Sequence, residues 1–288
     1  MSTHHLHMRT LPETPVYLNG DKDETLPENP SKTAPKYPRV SVVIPTLNEA
    51  KNLQYVLPFM PDWVHEVIIV DGNSTDDTIE VARATYPHVV VVEETRRGKG
   101  AALQAGFKAA TGEVIAMLDA DGSMNPQELS RYIGSLVSGA DYVKGSRFIQ
   151  GGGTSDMTTF RALGNWGLTT LVRLLFGGKY TDLCYGYNAF WSRVLVPLDI
   201  ESDGFEVETL MNIRALRAGL TIVEIPSYES DRIFGTSNLR AIRDGWRVLK
   251  VILRERFSAP KNRVATHWSW RVRHPGAAYL NDNASTEV

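Results

Sequence analysis

Met117-Leu118-Asp119-Ala120-Asp121 is a short apolar run that ends in two carboxylates one residue apart. If the apolar part is a buried strand, the carboxylates stand at its mouth, where an open α/β sheet holds a divalent metal against a diphosphate. An Asp-x-Asp alone is a common surface-turn sequence, and Gly122 would close such a turn. Two further stretches strengthen the strand-end reading. Val40-Ser41-Val42-Val43-Ile44 runs into Pro45, and Val67-Ile68-Ile69-Val70-Asp71 runs into Gly72-Asn73. Both are short β-branched runs closed by turn residues, so three strand ends point toward one rim of one sheet. Because side chains alternate along a strand, Asp119 and Asp121 reach one metal only if the chain turns at Ala120 or if water intervenes.

Working outward, the pattern predicts strands over 40–44, 66–70, 88–92, 114–118 and 140–144, separated by helices over 49–59, 75–84, 99–110 and 126–137. This alternation predicts an α/β fold with a mostly parallel, doubly wound central sheet. The second half changes character, with a helix over 158–176, an unassigned segment over 182–194, a helix over 205–218, a strand over 221–225 and an amphipathic helix over 238–256. Six prolines within residues 1–38 mark a flexible N-terminal arm. The expected organisation is therefore an arm over 1–38, one folded domain over 39–257 whose second half differs in character, and an extension over 258–288.

The 288 residues, 42% of them hydrophobic, suffice for one large domain. A net charge of -2 argues against nucleic acid as the main partner. Cys184 is the only cysteine, which excludes an internal disulfide and fits a reducing compartment. His4, His5 and His7 lie in a stretch without the apolar core of a signal peptide. No apolar run is long enough to span a bilayer. In the segment 239–253, Ile242, Trp246, Leu249 and Leu253 recur at helical spacing beside Arg240, Arg243, Arg247 and Lys250. Such a helix either lies on an anionic membrane surface or packs its apolar stripe on the domain. The expected location is cytoplasmic, peripheral on the inner membrane face.

Each charged group has a bland alternative. Asp71 either organises the turn before a helix or accepts hydrogen bonds from a nucleotide. Arg96-Arg97-Gly98-Lys99-Gly100 and Lys144-Gly145-Ser146-Arg147 are either solvated clusters or phosphate-facing groups on the rim that carries the acidic pair. The first lacks the spacing of a P-loop.

Together these segments resemble the GT-A fold glycosyltransferases of the polyprenyl-phosphate sugar transferase type, typified by dolichol-phosphate mannose synthase. The resemblance runs from about Arg39 to Ile252. It includes Val42-Val43-Ile44-Pro45-Thr46-Leu47-Asn48-Glu49, Val70-Asp71-Gly72-Asn73-Ser74-Thr75-Asp76-Asp77-Thr78, Arg97-Gly98-Lys99-Gly100, Leu118-Asp119-Ala120-Asp121 and Lys144-Gly145-Ser146-Arg147. Later segments narrow it: Arg161-Ala162-Leu163-Gly164-Asn165, Phe205-Glu206-Val207-Glu208 and Asp231-Arg232-Ile233-Phe234-Gly235-Thr236-Ser237.

The resemblance implies that Pro45, Glu49, Asp71, Lys99, Asp119 and Ala120 bind the nucleotide-sugar donor, with Asp71 on the base. Asp121 would bind Mg²⁺ or Mn²⁺ and, with Arg232, carry the chemistry. Arg147, Arg161 and Ser237 would contact the acceptor, Ser237 and Arg232 lying in a loop that closes over donor and metal. The chain departs from the family at Ser123, where Gln is usual, and at Tyr185-Gly186-Tyr187-Asn188, where Ser-Gly-Phe-Arg is usual. The expected reaction is inverting, metal-dependent transfer of a hexose, foremost mannose from GDP-mannose, to polyprenyl phosphate. The alternative is the same fold using a UDP- or GDP-sugar and a soluble hydroxyl acceptor, with Asp182 or Glu208 as base. A non-catalytic nucleotide-binding or membrane-adaptor protein is the third reading.

Overall fold

The structure is a computed structural model that describes residues 37–236 and 240–258. The first half is a series of strand and helix pairs: β1 (Val40–Thr46), α1 (Ala50–Val56), β2 (Glu66–Asp71), α2 (Thr78–Thr85), β3 (Val90–Glu93), α3 (Lys99–Ala109), β4 (Val114–Met117), α4 (Leu129–Val137) and β5 (Tyr142–Ser146). The second half adds β6 (Gly153–Thr154), α5 (Thr159–Phe176), β7 (Asn188–Trp191), α6 (Leu195–Leu198), α7 (Val207–Arg217), β8 (Ile222–Pro226), β9 (Tyr228–Glu229) and α8 (Ala241–Phe257). Seven strands form one sheet in the order β3-β2-β1-β4-β7-β5-β8, and β6 pairs with β9 beside it. All pairings are parallel except those of β7, which runs antiparallel to both β4 and β5.

The period-two alternation of β1 builds both faces of this sheet. Val40, Val42 and Ile44 join Leu53 and Val56 of α1 and Leu129, Ile133 and Leu136 of α4 on one face. Val43 points the other way, to Leu103 and Phe107 of α3 and Val207 and Met211 of α7. Strands buried on both faces read as continuous apolar runs, which is why β1, β2 and β4 were visible in sequence. A third cluster joins Val172 of α5, Ile213 of α7 and Val248 and Ile252 of α8.

Three features differ from the sequence expectations. The 182–194 segment contributes β7, a four-residue strand in mid-sheet. The two-residue strands β6 and β9 pair although 74 residues separate Ser155 from the Glu229 carbonyl that closes the pair. In α8 the packing stripe is Val248, Val251 and Ile252, whereas Ile242, Trp246 and Leu253 are exposed. Of the apolar residues that read as one stripe, Ile242, Trp246 and Leu253 therefore face outward and Leu249 is half-buried.

Halves of the chain interlock at the start of α3. The amides of Gly100 and Ala101 donate to the Asp203 carbonyl at 2.8 and 3.2 Å. A Cβ on Gly100 would stand 2.0 Å from the Ser202 carbonyl oxygen. Gly100→Ala is therefore expected to destabilise the protein by about 1–3 kcal/mol despite alanine's better helix propensity. Denaturant unfolding would show a lower midpoint with an unchanged slope; an unshifted midpoint would mean that segment 202–204 gives way without cost.

Candidate active site

A cavity of about 970 Å³ opens at the carboxyl ends of β1 and β4, where ligands bind in open α/β sheets. Pro45, Glu49, Lys99, Asp119, Ala120, Asp121, Arg147, Arg161 and Arg232 line it. Asp71 sits behind the wall: it is buried, and its carboxylate accepts from the Ser74 amide at 2.9 Å and the Thr46 hydroxyl at 3.5 Å. The neighbouring Gly72 and Asn73 reach the cavity instead. Ser237 lies outside the described residues.

The two acidic residues that end β4 have separate partners. The chain turns at Ala120 and Asp121, and Asp119 accepts an ion pair from Lys99 Nζ at 2.6 Å while Glu208 of α7 holds the same nitrogen at 2.8 Å. Asp121 Oδ2 lies 2.9 Å from Arg232, whose other terminal nitrogen is 2.9 Å from Glu49. The Ser123 amide donates to Asp121 Oδ1 at 3.0 Å, so that serine fixes the carboxylate through its backbone. Burial raises the Asp119 carboxyl above its ordinary value, Lys99 opposes this, and Asp121 and Glu208 add to it. Burial works against the charge on Lys99, but Asp119 and Glu208 outweigh it and hold the amine protonated.

The Arg232 segment is latched over these groups. The Ile233 amide donates to the Asp121 carbonyl at 3.1 Å. Phe234 exchanges two backbone hydrogen bonds with the Asn52 side chain, at 2.9 and 3.2 Å. Arg232 thus stands against the carboxylate expected to hold a metal.

The donor set suits one divalent cation. Among the described residues, four carboxylates, Glu49, Asp119, Asp121 and Glu208, pair with two cations, Lys99 and Arg232, a formal excess of two negative charges. Among the described residues no three His, Cys, Asp or Glu groups converge as a complete metal site. The adjacent Asp119 and Asp121 fit Mg²⁺ or Mn²⁺, which is commonly bound through one or two carboxylates together with phosphate and water oxygens. Asp121, with Asp119 beside it, would hold the ion.

The basic clusters differ from their expected roles. The Gly100 and Ala101 amides, the second and third of α3, are used by Asp203, so this helix terminus is not an open anion cradle. Lys144 is fully buried and donates to the Tyr185 carbonyl at 2.8 Å; burial lowers its pKa, with Asp182 and Glu224 acting in the other direction. It does not face the cavity. Arg147 is buried too: its Nε and Nη2 grip Asp182 at 2.7 and 2.9 Å, and Nη1 reaches Glu229 at 2.9 Å. Its guanidinium also stacks over the Tyr185 ring, 4.7 Å from the centroid. Arg161 keeps a partly exposed side chain, tied on one nitrogen to Asp156 at 3.1 Å.

Sequence reading missed Glu229 and Asn52, and it left the meaning of Asn188 open. Asn188 is buried and donates to the Gly186 carbonyl at 3.1 Å, supporting the cavity wall from behind. A Cβ on Gly186 would stand 2.8 Å from Lys99 Nζ, so the wall passes directly against the Lys99 ion pairs. The acidic Glu229, two residues from Asp231-Arg232, was the only available signal for its own role.

The fold and site define a nucleotide-sugar-dependent glycosyltransferase with a GT-A fold. Residues 41–196 match the family described as Glycosyl transferase family 2, and the chain belongs to that family. The polyprenol monophosphomannose synthase of Mycolicibacterium smegmatis is 32% identical over 76% of this chain and 88% of its own length. The undecaprenyl-phosphate mannosyltransferase of Micrococcus luteus is 35% identical over 70% of this chain and 87% of its own. Among solved structures, glucosyl-3-phosphoglycerate synthase from Mycobacterium tuberculosis, in complex with Mn²⁺, UDP-glucose and phosphoglyceric acid, superposes with a TM-score of 0.61. The match covers 76% of this chain and 80% of that one at 24% identity, a likeness of fold.

Replacing Lys99 by Met leaves Asp119 without the cation that lowers its pKa. The acid limb of the kcat/KM profile is expected to move to higher pH, and donor affinity to fall. A profile that superposes on the parent's would remove the Lys99–Asp119 pair from the active machinery.

Proposed function

We propose that this enzyme transfers a hexose, with inversion, from a UDP- or GDP-sugar to a hydroxyl acceptor. The observation that carries the acceptor choice is Arg147. This is the cation that the polyprenyl-phosphate resemblance assigns to an acceptor phosphate, and its side-chain nitrogens are already engaged by Asp182 and Glu229. A hydroxyl acceptor needs a base instead. Asp182 is fully buried behind Arg147, which leaves Glu208, a cavity-lining carboxylate 2.8 Å from Lys99.

In this reading the acceptor oxygen attacks the anomeric carbon, Glu208 takes its proton, and the bond to the nucleoside diphosphate breaks. Negative charge grows on the leaving diphosphate, and Arg232 is placed to meet it. A divalent ion at Asp121 would supply Lewis-acid stabilisation of that departure. Lys99 lies between Asp119 and Glu208, offsets their mutual repulsion and fixes both in position.

A second reading, mannose transfer from GDP-mannose to polyprenyl phosphate at a cytoplasmic membrane face, draws on two observations. The M. smegmatis and M. luteus relatives are named for joining mannose to a polyprenol or undecaprenyl phosphate. The outward side of α8 is also ordered as an interfacial helix: Ile242, Trp246, Leu253 and Phe257 form an exposed apolar stripe beside exposed Arg243, Arg247, Lys250 and Arg254. No helix among the described residues is long and apolar enough to cross a membrane. Here Arg161 and a rearranged Arg147 would hold the acceptor phosphate.

Purified protein tested with UDP- and GDP-sugars against soluble hydroxyl acceptors and polyprenyl phosphate in parallel is expected to transfer to the hydroxyl class. Transfer confined to polyprenyl phosphate would establish the second reading in its place. Asp121→Ala should reduce transfer by roughly 10²-fold or more with the fold intact, and EDTA should do so reversibly; full activity in metal-free Asp121→Ala would end the metal mechanism.

Arg243 and Arg247 both approach the buried Asp244, at 3.4 and 3.5 Å, so altering them perturbs packing. Trp246→Ser with Lys250→Glu tests the outer face more cleanly. Flotation with anionic vesicles should recover the parent and lose the double variant. Equal recovery would assign the stripe no membrane role.

A further inference from the structure

Glu229 has no partner that needs it for neutrality. Asp182 already pairs two nitrogens of Arg147 and is itself fully buried. The strong field of Arg147, opposing burial, holds Asp182 below its ordinary carboxylate range. Glu229 adds a second carboxylate to one guanidinium, at 2.9 Å from Nη1, and takes a further hydrogen bond from the Thr154 hydroxyl at 2.7 Å. The group of three carries a formal negative charge. Arg147 and Glu229 line the cavity whereas Asp182 does not, so the Arg147 edge available to a ligand is the one that Glu229 covers.

Building on the hydroxyl-acceptor reading, we infer that Glu229 is a specificity-determining residue that occupies the Nη1 edge of Arg147 and excludes anionic acceptors in favour of neutral hydroxyl-bearing ones. A phosphate oxygen seeking Nη1 meets a carboxylate oxygen at hydrogen-bond distance from the same nitrogen. Like charges at such separation in a site shielded from water repel strongly. Displacing Glu229 would also break its Thr154 bond and pull on β9, whose chain continues directly to Arg232. Neutral acceptors meet neither cost. The same residue keeps Arg147 in place over the Tyr185 ring, so the wall keeps its shape while its charge selects.

Glu229→Gln preserves the size of the side chain and an oxygen for Thr154 and Arg147 while removing the charge. Titration calorimetry with inorganic phosphate and with a short, water-soluble prenyl phosphate is expected to show binding at least about tenfold tighter than in the parent. The added Arg147→Met substitution should abolish the gain, which ties it to that guanidinium. In turnover, the ratio of kcat/KM for phosphate-bearing over hydroxyl acceptors should rise, a change that a purely structural role would not produce. Equal phosphate affinity in parent and Glu229→Gln, or a gain that survives Arg147→Met, would overturn the inference. If Glu229→Gln does not fold, Glu229→Asp decides, since drawing the carboxylate back by one methylene should still raise phosphate affinity, and unchanged affinity overturns the role. The titration requires neither donor nor turnover, so its failure counts against Glu229 alone. Polyprenyl phosphate emerging as the parent's acceptor would overturn the hydroxyl reading and the exclusion with it, whatever the titration shows.

Discussion

The site depends on β7 lying between β4 and β5. Those two strands do not touch; β7 joins them by running antiparallel to both, with Asn188 opposite Met117 on one side and Lys144 on the other. That register sets the distance between the half of the cavity built by β1 and β4 and the half built around Arg147. It also places the turn that precedes β7 against the donor-side charges, where the Tyr185 and Gly186 carbonyls are tied back by Lys144 and Asn188. A one-residue slip would reverse which face Asn188 and Phe190 occupy. Phe190 is held by Tyr142 and Phe107, at ring separations of 5.7 and 5.5 Å.

Around this frame three cations of the cavity wall share one arrangement: each lies between two carboxylates. Lys99 lies between Asp119 and Glu208, Arg232 between Asp121 and Glu49, and Arg147 between Asp182 and Glu229. Burying single charges without partners is costly. Sharing removes that cost for the cations and leaves surplus negative charge. On the donor side the surplus suits a divalent ion, and on the acceptor side it opposes an anion.

Most of the sheet was legible because β1, β2 and β4 are apolar on both faces and end in turn residues. The acidic rim of the cavity was legible for the same reason, since Asp119 and Asp121 follow directly from such a strand. The surroundings of the basic residues were not. Lys144 and Arg147 follow β5 much as the acidic pair follows β4, but whether a basic residue faces solvent or interior depends on partners from distant segments. Asp182, Glu224 and Glu229 lie 35 to 82 residues from the groups they meet. Nothing local distinguishes the two outcomes. β7 escaped notice because four residues offer too little alternation, and its pairing is non-local on both edges. In α8 periodicity gave the helix but not its orientation, since two adjacent faces are apolar.

The closure of α3 by Asp203 bears on how the chain is made. Gln104 also reaches back to the Ser202 carbonyl, 98 residues further along. While the ribosome has delivered only the first strands and helices, the leading amides of α3 have no protein acceptor and Lys99 lacks Glu208. The acidic mouth of β4 is therefore incomplete until α7 emerges. Contacts of such long sequence separation are late and slow to form. The strand and helix pairs of the first half therefore do not complete their own rim; it closes only when α7 and the segment before it are in place.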